Sequence, residues 1–239
     1  MLQHRFTSQL ALIRARVAST SYFGLQLTLG ALVIVMAGWL FGKIAEDVVT
    51  GAPLTIIDAQ VAAWFHGHTV PALTVWMLGF TDLHSVAGIA LLALTLALWL
   101  SWKGERYWLI VVAFVVPGSM LLNVLTKFIF QRARPSFIDP ILTLDSYSFP
   151  SGHVSAATLF YGVLAAFLVM RIAPLRGRVL IALTAIFLVT LVALTRIYLG
   201  AHYLSDVLAA FAQSVAWTAL CLTALHTLQH RRNLPQRTH

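Results

Sequence analysis

Three short stretches hold polar residues whose types and spacing suit chemistry on a phosphate group. "KFIFQRARP" sets Lys127 seven positions before Arg134 and Pro135, "PSGH" runs from Pro150 to His153, and "TRIYLGAHYLSD" carries Arg196, His202 and Asp206. Arginine forks and a lysine point charge neutralise non-bridging phosphate oxygens. The Ser151-Gly152 turn, placed just before an apolar run, offers backbone N–H donors at the positive end of a helix. Glycine lets that backbone approach closely. His202 and Asp206 are four apart, one turn along a helix. The carboxylate can then keep one imidazole nitrogen protonated and leave the other free to attack. His153 supplies a second imidazole, placed to protonate a leaving oxygen.

The elements that must carry these residues are membrane helices. Of the 239 residues 59% are apolar and 10% charged, far from the composition of a soluble domain. The sequence predicts an all-α, polytopic bundle of six spans near 22–42, 85–101, 108–126, 154–173, 179–195 and 203–226, each close to the ~17–25 residues that cross a bilayer. None alternates with period two, which argues against barrel strands. The first run is too long for a signal-peptide core and has about twenty residues before it, so it reads as an anchor. No linker or repeat divides the chain, and a single domain over 1–239 is expected. The lone Cys221 leaves no disulfide framework and no cysteine metal site.

Eleven of the sixteen Lys and Arg fall on one side of this layout: Arg5, Arg14, Arg16, Lys103, Arg106, Arg171, Arg176, Arg178, Arg231, Arg232 and Arg237. The positive-inside tendency makes that side, with both termini, cytoplasmic. A basic face against anionic lipid accounts for the net charge of +8 without nucleic acid. Lys43, Lys127, Arg132, Arg134 and Arg196 lie outward in spite of the tendency, together with every acid except Glu105. All three polar stretches therefore face one aqueous side and can converge.

These residues resemble the type 2 phosphatidic acid phosphatase superfamily, whose motif reads Lys-x6-Arg-Pro, Pro-Ser-Gly-His and Ser-Arg-x5-His-x3-Asp. The match departs once, at Thr195, where the family has Ser, and it occupies a core of residues 127–206. Three parts in order on one side are specific where one alone is weak. The resemblance implies a metal-independent phosphatase with no cofactor. His202 would be the phosphorylated nucleophile, Asp206 its orienter and His153 the general acid. Lys127, Arg134, Pro135, Ser151, Gly152 and Arg196 would bind the phosphoryl group. It further implies a bacterial inner membrane, a site facing the periplasm or cell exterior, and a lipid phosphate arriving within the bilayer. Undecaprenyl diphosphate and phosphatidylglycerol phosphate come first as substrates, with phosphatidic acid and lipid A phosphates behind them. No obligate protein partner is implied.

Plainer roles are assigned to what remains. Arg132, outside the motif, is expected to snorkel to headgroups. His66, His68 and His84 with Asp58 and Asp82 form a weak metal-site pattern. It reads better as part of an extracytoplasmic amphipathic segment, about 43–84, lying at the interface. Trp39, Trp64, Trp76, Trp102 and Trp108 read as interface anchors. Two rival functions stay open: transfer of the phosphoryl group from the same phosphohistidine to another lipid, and transport of a phosphate lipid without hydrolysis. Transport is disfavoured because Pro117-Gly118 is the sole interior helix-breaking pair, with no counterpart in a matching half.

Overall fold

A computed structural model describes residues 22–172 and 174–233. Among these residues are eight helices: α1 (Tyr22–Thr50), α2 (Pro53–Gly67), α3 (Pro71–Leu83), α4 (Val86–Trp102), α5 (Arg106–Phe130), α6 (Gly152–Arg171), α7 (Leu175–Tyr198) and α8 (Leu204–Asn233). The N-terminal arginines and Arg237 lie outside the described residues.

Five helices, α1 and α5 to α8, are long and apolar enough to cross a membrane. The sixth expected span is only 17 residues long as α4, and it reaches spanning length as a pair with α3, bent by 49° at the break. The protein is thus an all-α polytopic bundle with five candidate spans among the described residues, or six when the bent pair counts as one. Its outer surface fits a hydrocarbon solvent: Leu183, Ile186 and Phe187 along α7 are all more than half exposed, a cost in water and none against lipid tails.

Two boundaries differ from the sequence reading for local reasons. Helix α1 continues past residue 42 because Lys43 and Glu46 pair across one turn at 2.5 Å and nothing breaks the helix before Gly51, at φ +71°. The segment expected to lie at the interface therefore begins as the end of a long span, followed by α2 and α3, each opened by a proline at its first turn. Helix α7 starts at Leu175, directly after Pro174, so Arg176 and Arg178 sit in its first turn rather than in a connecting loop.

The main core lies between α4, α5 and α6, where Ile89, Leu100, Val111, Val115, Leu159 and Phe167 are buried together. Trp108 belongs to it, 5% exposed and edge-on to Phe167. It is not the interface anchor expected, whereas Trp39, Trp64, Trp76 and Trp102 are exposed. Helix α8 is held close by small residues. A Cβ at Gly30 of α1 would stand 2.2 Å from Thr223 Oγ1, and one at Gly118 of α5 would stand 2.4 Å from the Trp217 ring. The Pro117-Gly118 pair lies inside continuous α5, where the glycine seats Trp217 and lets its Nε1 donate to the Val115 carbonyl at 3.0 Å.

The consequence for function is geometric. Helices α5 and α7 end, and α6 and α8 begin, at one end of the bundle, where α2 packs against α7 and α8 and α3 packs against α7.

Candidate active site

Loop 131–151 is anchored by an aromatic plug. Phe149 is wholly buried against Phe41 and Phe130, with ring centroids at 5.9 and 4.9 Å. The plug fixes the entry of α6 beside the start of α8, where the Ser151 N–H donates to the Asp206 carbonyl at 3.1 Å. That donor is therefore already engaged. The N–H groups of Gly152 and His153, first in α6, stay outside the intrahelical ladder and point from its positive end.

A glycine positions the loop that carries His202. Gly200 closes α7 at φ +66°, and a Cβ there would meet the Phe137 ring at 3.0 Å. The left-handed conformation costs an L-residue roughly 1–2 kcal/mol, so glycine suits this turn. Through it the chain reverses, and the N–H groups of Ala201 and His202 both donate to the Arg196 carbonyl, at 3.0 and 3.2 Å. His202 thus stands two residues before α8 rather than on it, while Asp206 occupies the first turn of that helix.

His202 is 2% exposed and Asp206 is fully buried. The imidazole Nδ1 lies 3.4 Å from Asp206 Oδ2, a long contact. The carboxylate is fixed independently of it. Oδ2 accepts the Tyr203 N–H at 2.9 Å and a short bond from Ser148 Oγ, and Oδ1 accepts from Arg132 Nη1 at 2.6 Å. On the other edge of the ring, Arg134 Nη1 stands 3.3 Å from Nε2. Burial lowers the His202 pKa to about 4; Asp206 pulls it up, while Arg134 and Arg196 push it further down. Near neutrality the ring is uncharged, and a carboxylate partner at Nδ1 favours the tautomer with its lone pair on Nε2.

The remaining cations surround this ring. Arg134 is splayed over carbonyls, donating to Ser146 and Ala201, both at 2.6 Å. Lys127 reaches the Tyr147 carbonyl in a short bond. Arg196, 3% exposed, donates from Nη1 to Thr81 Oγ1 at 2.9 Å. Its Nε and the buried Ser151 Oγ have no partner among the described residues. His153 is partly exposed in the first turn of α6 with no hydrogen-bond partner described. Pro135 is half-buried and follows Arg134, holding that residue extended. The Thr195 hydroxyl bonds the Val192 carbonyl at 2.6 Å, so it is engaged within its own helix.

Arg132 corrects the sequence reading. Its side chain is 13% exposed and pairs with both Asp206 and Asp58, so it does not snorkel to headgroups. Burial disfavours its charge, but the two carboxylates more than offset this and hold the pKa above its usual range. Sequence reasoning also missed Asp58, Thr81, Ser148 and Ser205. The available signal was Arg132 itself, an outward arginine against the charge bias, with every nearby acid on the same side.

The histidines of the second cluster disperse. His66 bonds Asp139 at 3.0 Å and stacks on Phe137, His68 stacks on Trp64, and buried His84 spans the Phe80 carbonyl and the Tyr161 hydroxyl. Among the described residues no group of three His, Cys, Asp or Glu is disposed to hold a metal.

Known proteins share this fold. The family model of the PAP2 superfamily matches residues 106–230. Phosphatidylglycerophosphatase B of Bacillus subtilis (strain 168) is 39% identical over 93 residues, which are 38% of this chain and 45% of that protein. The chain thus spans less than half the length of this relative in that match. A crystal structure described as the first transmembrane PAP2 type phosphatidylglycerolphosphate phosphatase, from Bacillus subtilis, superposes with a TM-score of 0.73 at 25% identity, covering 85% of this chain and 98% of the other. The structure of Aquifex aeolicus LpxE shares the fold at a TM-score of 0.56 and 20% identity, over 70% and 94% of the two chains.

Proposed function

Because the chain belongs to the PAP2 superfamily, we propose that it removes phosphate from a membrane lipid phosphate or diphosphate through a phosphohistidine at His202. One observation carries the reading: a buried imidazole with Nδ1 toward a fixed carboxylate and Nε2 toward a guanidinium. The Nε2 lone pair attacks phosphorus in line, the bond from phosphorus to the leaving oxygen breaks, and that oxygen keeps the electron pair and takes a proton from His153. Water then cleaves the N–P bond, with His153 accepting its proton.

The transferring group carries its charge on equatorial oxygens, so binding is mainly electrostatic. Arg134 and Lys127 are held at the site through loop carbonyls. Buried polar groups without partners are costly, and a bound phosphoryl group would offer acceptors to Arg196 Nε and Ser151 Oγ, which have no partner among the described residues. The first N–H groups of α6 add the anion-binding end of a helix. Pro135 acts through the backbone of Arg134.

Phosphatidylglycerol phosphate is the first substrate we propose, since the similar Bacillus proteins are named for it, and undecaprenyl diphosphate is the second. The test is a panel of lipid mono- and diphosphates assayed for phosphate release by the purified protein in detergent with EDTA. Turnover in EDTA is expected because the protein's own cations offset the phosphate charge. Binding without release favours the transport reading, release only on adding a divalent metal contradicts the mechanism, and label passing to a second lipid favours transfer.

The site is proposed to face outward in a bacterial inner membrane, on the charge split of the loops. Asp145, in the exposed part of loop 131–151, provides the check. A cysteine placed there in a Cys221→Ala background is expected to react with a membrane-impermeant maleimide added to whole cells made permeable only at the outer membrane. Labelling that requires lysis reverses the orientation.

A further inference from the structure

The reaction needs a carboxylate at His202 Nδ1, yet the Asp206 carboxylate is also gripped by a guanidinium, whose positive charge opposes the negative charge that the imidazole uses. Asp58 addresses this conflict. It comes from α2, outside the motif core, and is 1% exposed. Its Oδ2 accepts from Arg132 Nη2 at 2.7 Å and from Ser205 Oγ at 2.5 Å, and its Oδ1 accepts the Ser205 N–H at 2.8 Å. Arg132 Nη1 in turn donates to both Ser205 Oγ and Asp206 Oδ1, each at 2.6 Å, with the Tyr203 ring 4.4 Å from its guanidinium carbon. Asp58 therefore completes the fork of Arg132 and satisfies a donor in the first turn of α8, the helix that carries Asp206.

We propose that Asp58 is a positioning and charge-balancing residue for the reaction at His202: it holds and neutralises Arg132, so that Arg132 fixes Asp206 without cancelling its charge at the imidazole. The inference rests on the phosphohistidine reading above. The cluster of Asp58, Arg132 and Asp206 carries a net charge of −1. Phosphorylation at Nε2 while Nδ1 keeps its proton makes the ring cationic, and that charge develops against the cluster. With a neutral residue at 58 the cluster carries no net charge, and the transition state loses its counter-ion. Substrate binding, made by other groups, changes little.

Asp58→Asn keeps shape and an acceptor for Ser205. In a single-turnover quench with a radiolabelled lipid monophosphate, the rate of label appearance on His202 is expected to fall about 10- to 100-fold, the range for outer partners of functional groups. KM and inhibition by inorganic phosphate should stay within about twofold, reporting a folded site. The double variant Asp58→Asn with Arg132→Gln restores the net charge of −1 and is expected to recover severalfold in rate over Asp58→Asn, whereas a purely structural network loses more with two bonds cut. Wild-type phosphorylation rates in Asp58→Asn, a loss confined to KM, or a double variant slower than the single each overturn the proposal. Wild-type protein that releases phosphate with no label on His202 defeats instead the phosphohistidine reading on which it stands.

Discussion

His202→Ala should lower lipid-phosphate hydrolysis by on the order of 10⁴- to 10⁶-fold, the scale on which removal of an enzymatic nucleophile acts. In the proposed reaction every turnover passes through the lone pair of Nε2, which faces Arg134 at that edge of the ring. The loss should be the same for every substrate, measured as inorganic phosphate released, with the purified variant eluting as wild type in detergent. Asp206→Ala should remove most activity too, but Arg132, Ser148 and the Tyr203 N–H all converge on this carboxylate, so that variant also strips a packed network. Asp206→Asn keeps the shape and isolates the charge. The pH profile follows from the state of the ring. The neutral form attacks, and burial first, then Arg134 and Arg196 against the opposing pull of Asp206, put the His202 pKa at about 4. Protonation therefore removes the nucleophile only as the pH falls through about 4, and kcat/KM should carry no limb from His202 near the ordinary histidine value of about 6.5. A limb near that value that persists in His153→Ala and does not follow the substrate's own second phosphate pKa, about 6, would contradict this account.

What could be read in the sequence was whatever depends on spacing along one segment. Lys127 with Arg134, Pro150 to His153, and His202 with Asp206 are local patterns, and the fold brings most of them to one end because successive spans alternate in direction. The failures share a cause as well. Arg132 resembled a snorkelling arginine because its partners, Asp58 and Asp206, are 74 residues away on either side, a separation with no periodicity to announce it. Thr81, which holds Arg196, is 115 residues distant. Trp108 looked like an anchor because it sits at the head of a span, where a buried tryptophan and an interfacial one have the same neighbours in sequence. Residues 43–84 read as one interfacial segment because α2 and α3 are short and polar at their ends. Only the packing of α2 on α7 and α8, and of α3 on α7, reveals that they bring Asp58 to Arg132 and Thr81 to Arg196.

His153→Ala should discriminate between leaving groups. A lipid monophosphate expels an alkoxide, whose conjugate acid has a pKa on the order of 15, as for water, so a proton from His153 matters greatly to that step. A lipid diphosphate expels a monophosphate whose second pKa is about 6, and this group departs with little help. His153 is partly exposed in the first turn of α6, with no hydrogen-bond partner among the described residues, beside the Ser151 hydroxyl that also lacks one. The variant should thus lose about 10²- to 10⁴-fold on monophosphates, the usual contribution of general acid catalysis, and far less on diphosphates. p-Nitrophenyl phosphate, with its acidic phenol, should behave as a diphosphate does. The comparison belongs on single-turnover phosphorylation of His202, because cleavage of the phosphohistidine is common to all substrates and also uses His153 as base, which masks the difference in steady state. Equal losses across the series in that assay would remove His153 from the proton-transfer step and leave it a phosphate-binding role beside the Ser151-Gly152 turn.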